Sequence, residues 1–193
     1  MKHSTWVIGV LIAMGHLPAV AQRDPHYGVK FFADAGGTSC TVDANQPGMV
    51  SVHVFHTGSG PSSALLFAAY IPDCWPGAVW LGDVLAEPWL TIGDTQQALG
   101  LSIGYGECRP LPLYVGHIDF LAPGGTPACC ELAVTHPTSW TYYTEPVLAT
   151  DCDFREWRGT GGRVVINANR TCLCEQPLAV HESTWGRVKA LYR

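Results

Sequence analysis

Thr126-Pro127-Ala128-Cys129-Cys130-Glu131-Leu132-Ala133-Val134 is the stretch on which the fold of this chain turns. Side chains alternate across an extended strand, so adjacent cysteines point to opposite faces and reach two different partners. The segment therefore reads as a double staple in a disulfide-bonded β protein. Working outward, the eight cysteines Cys40, Cys74, Cys108, Cys129, Cys130, Cys152, Cys172 and Cys174 form an even set, none of them before position 40. Preceded by an export signal, an even set implies up to four disulfides. A metal site is not expected: Cys172-x-Cys174 has too short a spacing for zinc, and there is no second clustered Cys/His pair.

The start of the 193-residue chain supplies that export signal. Lys2 is the positive region, Trp6 to Met14 the apolar run, and Ala19-Val20-Ala21 a small-x-small cleavage site. The expected organisation is a signal peptide over 1–21, one domain over 22–176 and a C-terminal segment over 177–193. The apolar run falls short of the length a bilayer span needs, so no membrane span is expected in the mature form. The expected location is secreted or cell-surface, with the periplasm as the alternative.

Charged residues make up 14% of the chain, the net charge is −5, and beyond Lys2 the only lysines are Lys30 and Lys189. Nucleic acid is excluded as a partner because no basic face can be assembled. With 21 glycines, 14 prolines and 47% hydrophobic residues, the composition describes short strands joined by tight turns.

The strand pattern is clearest in Met49 to His56, where Val50, Val52 and Val54 share one face and Ser51 and His53 the other. Gly58-Ser59-Gly60-Pro61 reads as the turn of a hairpin returning over Ser63 to Ile71. Further strands are predicted over Tyr27 to Ala33, Trp89 to Ile92, Leu99 to Tyr105, Leu113 to Leu121, the Cys129-Cys130 segment, Val147 to Thr150 and Arg163 to Asn167. In Leu113 to Leu121 the alternation puts Leu113 and Val115 opposite Ile118 and Phe120. Pro72 to Trp89 is either a long crossover or a cover for a short element around Val79 to Leu85. About nine strands without strand-helix alternation specify an all-β, disulfide-stapled antiparallel β-sandwich of Ig-like type. Simple alternation of strand direction then pairs Cys40 with Cys74, and Cys152 with Cys129 or Cys130. After Pro177, Ser183 or Thr184 can cap a short C-terminal helix with Trp185, Val188 and Leu191 or Tyr192 on one side. The alternative is a tail, and either form is a candidate docking or sorting segment.

Gly36-Gly37-Thr38-x-Cys40, Ser102-Ile103-Gly104-Tyr105-Gly106-x-Cys108, Cys129-Cys130, Asp151-Cys152, Cys172-x-Cys174 and Thr184-Trp185-Gly186-x-x-Lys189-x-Leu191-Tyr192 form a recurring layout. It resembles a group of uncharacterised secreted bacterial proteins over most of the mature chain. The resemblance implies secretion and supplies no catalytic residues. More loosely, the strand pattern is similar to cohesin-like extracellular sandwiches, which implies a fold and no particular partner.

No nucleophile elbow, H-E-x-x-H helix, P-loop or dinucleotide fingerprint occurs. His53 and His56 lie three apart and face opposite ways on a strand. His117 and Asp119 share a face, as do Asp151 and Asp153, the latter a two-carboxylate start toward calcium. No catalytic residue, metal ligand or cofactor is assigned. The aromatic residues remain as binding candidates: Trp75, Trp80, Trp89, Trp140 and Trp157 in loop-like stretches with Tyr142 and Tyr143, and Trp185 and Tyr192 near the C-terminus. The function expected is a non-enzymatic structural or surface-interaction module with a protein or cell-surface partner. The alternatives are a carbohydrate-binding module using the loop tryptophans, with a glycan as partner, and a secreted hydrolase.

Overall fold

The computed structural model describes residues 26–141, 144–172 and 174. The expectations for the export signal, the C-terminal segment with Trp185 and Tyr192, and Tyr142 and Tyr143 lie outside the described residues. Twelve strands follow one another: β1 (Tyr27–Phe32), β2 (Thr41–Val42), β3 (Gly48–Gly58), β4 (Ser62–Phe67), β5 (Val79–Leu85), β6 (Leu90–Ile92), β7 (Leu101–Arg109), β8 (Leu113–Ala122), β9 (Cys130–Ala133), β10 (Val147–Thr150), β11 (Glu156–Gly161) and β12 (Arg163–Ile166). Among the described residues there is no helix, and so none long and apolar enough to cross a membrane. The fold is the all-β, disulfide-stapled sandwich that the strand pattern implies.

Nine strands form one sheet in the order β5-β8-β3-β1-β11-β10-β4-β7-β6, and β2-β12-β9 form a second. The long sheet is folded over at β1, which pairs antiparallel with β3 and parallel with β11. Its two halves face each other across one core. Val50, Val52 and Val54 of β3 meet Leu65 and Phe67 of β4, Ile103 of β7 and Val147 of β10 there. Phe31 of β1 packs edge-on against Phe67, with ring centroids 6.2 Å apart. The valine alternation that marks β3 in the sequence is thus the alternation that builds the core.

Three expectations are corrected. β3 and β4 are not a hairpin, because β3 lies between β1 and β8 while β4 lies between β10 and β7. The Gly58-to-Pro61 connection carries the chain from one layer to the other. Second, Leu113, Val115, Ile118 and Phe120 all pack on the core. A bulge in β8 causes this: Val54 is opposite Gly116 and Phe55 is opposite Tyr114, so Val115 is the extra residue and the alternation shifts by one. Gly116 has φ +142°, and a Cβ there would stand 2.1 Å from the Val84 carbonyl oxygen. Glycine is therefore what lets the edge strand β5 pair across the bulge.

The third correction is the disulfide pairing. All eight cysteines are bridged, as Cys40–Cys174, Cys74–Cys130, Cys108–Cys152 and Cys129–Cys172, with Cα separations of 5.5–5.7 Å. Cys40 does not join Cys74, and Cys152 joins neither member of the adjacent pair. Simple alternation of strand direction fails because β1 runs parallel to β11 and β2 parallel to β12. The chain leaving β12 turns back and brings Cys174 to Cys40 at the start of β2. Cys129 and Cys130 do reach different partners. Cys130 is buried in the core with Leu132, and Cys129, at φ 64°, turns toward Cys172.

The Val79 to Leu85 element is a strand, at one edge of the long sheet, with β6 at the other. β2 and β11 are additional to the predicted set. β11 includes Gly159-Thr160-Gly161, all three of which pair with β1, Gly159 also with β10.

Candidate functional site

Along β7 the residues Leu101, Ile103 and Tyr105 enter the core, so Ser102, Gly104 and Gly106 are left on the outer face. The neighbouring strands extend that face in register. One row runs Leu90, Gly104, Ala64, Thr150, Glu156 and the next runs Ile92, Ser102, Leu66, Leu148, Arg158. Gly104, Ala64 and Ser102 leave one part of the face nearly bare of side chains, Leu66 beside them is buried, and the β6 margin carries large apolar ones. Leu90 is 74% exposed and Ile92 66%.

Two hollows share Ala64 and Thr150. One, of about 290 Å³, is bounded by Ile92, Leu99, Trp140 and Leu148. The other, of about 320 Å³, is bounded by Gly106, the Cys108–Cys152 bridge and Phe154. Phe154 is 82% exposed, and with Leu90, Ile92 and Leu99 it makes an apolar rim around a flat floor. Contiguous exposed apolar surface of this kind makes the face the candidate for docking. At the β11 side the face becomes charged, with Glu156 and with Arg158 bound to Glu145 at 2.9 Å.

Of the tryptophans expected to bind, Trp140 lies at this face. Trp75 is a correction: it is 1% exposed and packs on Phe120 at 5.2 Å, because the Cys74–Cys130 bridge draws its segment onto the core. Trp80 and Trp89 are half-buried against the core, Trp89 edge-on to Tyr105 at 5.0 Å. Trp157 donates its indole N–H to Asp151 Oδ2 at 2.7 Å. That bond, with backbone donors from Arg155 and Asp153, holds the Asp151 carboxyl below the usual carboxylate range. Asp151 is thereby committed to its own turn, and among the described residues no third His, Cys, Asp or Glu side chain joins it and Asp153.

The sequence reasoning missed Leu90, Ile92, Leu99, Gly104 and Phe154. A signal was present in Gly100-Leu101-Ser102-Ile103-Gly104-Tyr105-Gly106, whose alternation of small and large residues specifies a smooth outer face as well as a buried inner one.

Glu107 also lines the second hollow, while the histidines of β3 and β8 lie away from this face. His56 is fully buried and its Nδ1 bonds the Tyr105 hydroxyl at 2.8 Å; burial pushes its pKa down to about 4. His53 and His56 do face opposite ways. His53, His117 and Asp119 lie on the outer face of the other layer.

No protein-family model matches this chain, and no curated sequence does. Among solved structures it is similar to the sixth cohesin of scaffoldin B from Acetivibrio cellulolyticus, solved in complex with a Cel5 dockerin, at 12% identity and TM-score 0.46, covering 75% of this chain and 99% of that one. It is also similar to a type I cohesin–dockerin complex from Clostridium thermocellum, at 10% identity and TM-score 0.45, covering 76% and 96%. A type II cohesin domain from the cellulosome of Acetivibrio cellulolyticus gives 11% identity and TM-score 0.43, covering 77% and 97%. With every score below one half, the likeness assigns neither a partner nor a binding face to this chain.

Proposed function

We propose that the chain is an extracellular, non-enzymatic protein-binding module that docks its partner on the outer face of β6-β7-β4-β10. The observation that carries this is the pair of registered rows in which a bare floor of Gly104, Ala64 and Ser102 adjoins the exposed apolar margin of Leu90 and Ile92, with Glu156 and Arg158 at the far side. Interface cores favour exposed aliphatic and aromatic anchors of this kind, with a charged rim to set orientation. The partner accordingly presents apolar side chains to the Ile92–Trp140 hollow and polar ones to Glu156. Four disulfides support an oxidising compartment. The export signal over 1–21 and a docking or sorting role for 177–193 rest on sequence alone.

A second reading is favoured by Trp140, whose ring at the hollow suits a glycan. The test uses immobilised wild type, the paired variant Leu90→Lys/Ile92→Lys, and the control Met49→Lys/Leu121→Lys on the opposite layer. Each is incubated with the secreted and surface proteins of its source, and separately with a glycan array. A protein retained by wild type and control but lost from the face variant supports the proposal. Equal retention by all three, or retention by none, overturns it. Glycan binding abolished by Trp140→Ala, without protein retention, selects the second reading.

A further inference from the structure

β3 and β8 set two histidines directly opposite one another. His53 and His117 are register partners, half-buried on the outer face, with ring centroids 5.5 Å apart. Two residues along β8, Asp119 shares that face, and its Oδ2 stands 3.5 Å from His117 Nε2. That separation is longer than a good N–H···O bond. It is close to the roughly 3.4 Å between two ligand atoms that sit about 2.0–2.1 Å from one tetrahedral ion.

The supporting contacts are those that metal ligands need. Ser51 Oγ donates to the other carboxylate oxygen of Asp119 at 2.6 Å, and the Tyr114 hydroxyl bonds His53 Nδ1 at 2.9 Å. Partners of this kind orient ligands and fix which ring nitrogen is available. Among the described residues no three His, Cys, Asp or Glu side chains already converge on one point. His117 and Asp119 form one edge of a coordination sphere, and a rotation of the His53 side chain that exchanges its Tyr114 bond for the ion would complete a face of it. We propose that His53, His117 and Asp119 bind one divalent transition-metal ion of the zinc, nickel or copper class, with water filling the remaining positions. Imidazole with carboxylate suits these ions better than calcium or magnesium, which want more oxygen ligands. The pair is invisible in the sequence because its members are far apart and only the β3–β8 register unites them.

The test is calorimetric titration of untagged full-length chain with zinc, nickel and copper chlorides, after chelator treatment. One ion per chain is expected at micromolar concentration, weakened tenfold or more by His53→Ala or His117→Ala and less by Asp119→Asn. His26→Ala and His136→Ala, at exposed histidines elsewhere, leave it unchanged. Melting in chelator shows that each variant is folded. Should a variant fail to fold, nuclear magnetic resonance of the wild type decides: zinc shifts the His53 and His117 ring resonances before those of the other histidines. Absence of stoichiometric binding, or binding that survives both His53→Ala and His117→Ala or moves other histidines first, overturns the proposal.

Discussion

His56 of β3 and Tyr105 of β7 join the two layers of the sandwich through the core, with Nδ1 and the hydroxyl oxygen 2.8 Å apart. The pair is closed in by Tyr27, whose ring centroid is 6.0 Å from that of His56, and by Trp89 against Tyr105. His56 Nε2 has no hydrogen-bond partner among the described residues. A proton added there would be a buried charge without compensation.

Acid should therefore loosen the sandwich at this point. Burial lowers the folded-state pKa of His56 to about 4, below its unfolded value near 6.5. Between those values the unfolded chain binds the extra proton, so stability rises with pH across this window. The contribution is present above about pH 6.5 and is lost progressively as the pH falls toward 4, amounting to about 3 kcal/mol over the window. His56→Gln keeps a partner for Tyr105 and cannot be protonated. Denaturant midpoints at pH 7 and pH 4.5 should differ less for the variant than for wild type; an equal difference would refute the assignment.

Non-reducing peptide mapping, with cleavage between Cys129 and Cys130, should recover Cys74 with Cys130 and Cys129 with Cys172. The Cys74–Cys130 bridge closes a loop with a sequence separation of 56. In the chain-entropy picture its loss costs about 4 kcal/mol. Because Cys130 is also in the core, Cys74→Ser/Cys130→Ser should unfold at lower denaturant than Cys108→Ser/Cys152→Ser, whose bridge lies at the exposed second hollow.

What the sequence made legible is what alternation encodes locally. Val50, Val52 and Val54 announced both β3 and the core, and the turn residues placed most of the other strands. Pairing was not legible, because it depends on contacts between distant segments. Reading β3 and β4 as a hairpin assumed that neighbours in sequence pair, yet β1 and β8 take both sides of β3. The same assumption misassigned the cysteines, since the parallel pairs β1–β11 and β2–β12 reverse the ends at which later segments emerge. The candidate site was half legible: Ser102 and Gly104 alternate visibly with core residues, but only the register lines them up with Leu90, Ile92 and Ala64. His53 and His117 are the extreme case, with nothing local to connect them.

Gly116→Ala tests the bulge that corrects the β8 alternation. A methyl group there would stand 2.1 Å from the Val84 carbonyl oxygen, at a φ that alanine rarely adopts. Backbone has to move to relieve that contact, and β5 is the edge strand on that side. The variant should lose more than about 1 kcal/mol of stability. Faster amide exchange in Val79 to Leu85 than in β7 would place the damage at β5, and unaltered exchange there would show that the bulge is not needed for the pairing.

Gly104→Phe should behave in the opposite way, and the contrast isolates the docking face. The nearest atom a Cβ at Gly104 would meet is Leu90 Cβ, at 4.0 Å, so the added side chain has open space over the floor between Leu90 and Ala64. Aromatic residues suit a half-exposed strand position, and replacing glycine removes unfolded-chain entropy, so stability should hold or rise slightly. The bulky ring would nonetheless fill the bare part of the face. A partner captured by wild type should therefore be lost from Gly104→Phe while its melting temperature stays at or above that of wild type. Retained binding by this folded variant would mean that the partner does not sit on the Ala64–Gly104 floor, whatever the effect of Leu90→Lys/Ile92→Lys at the margin.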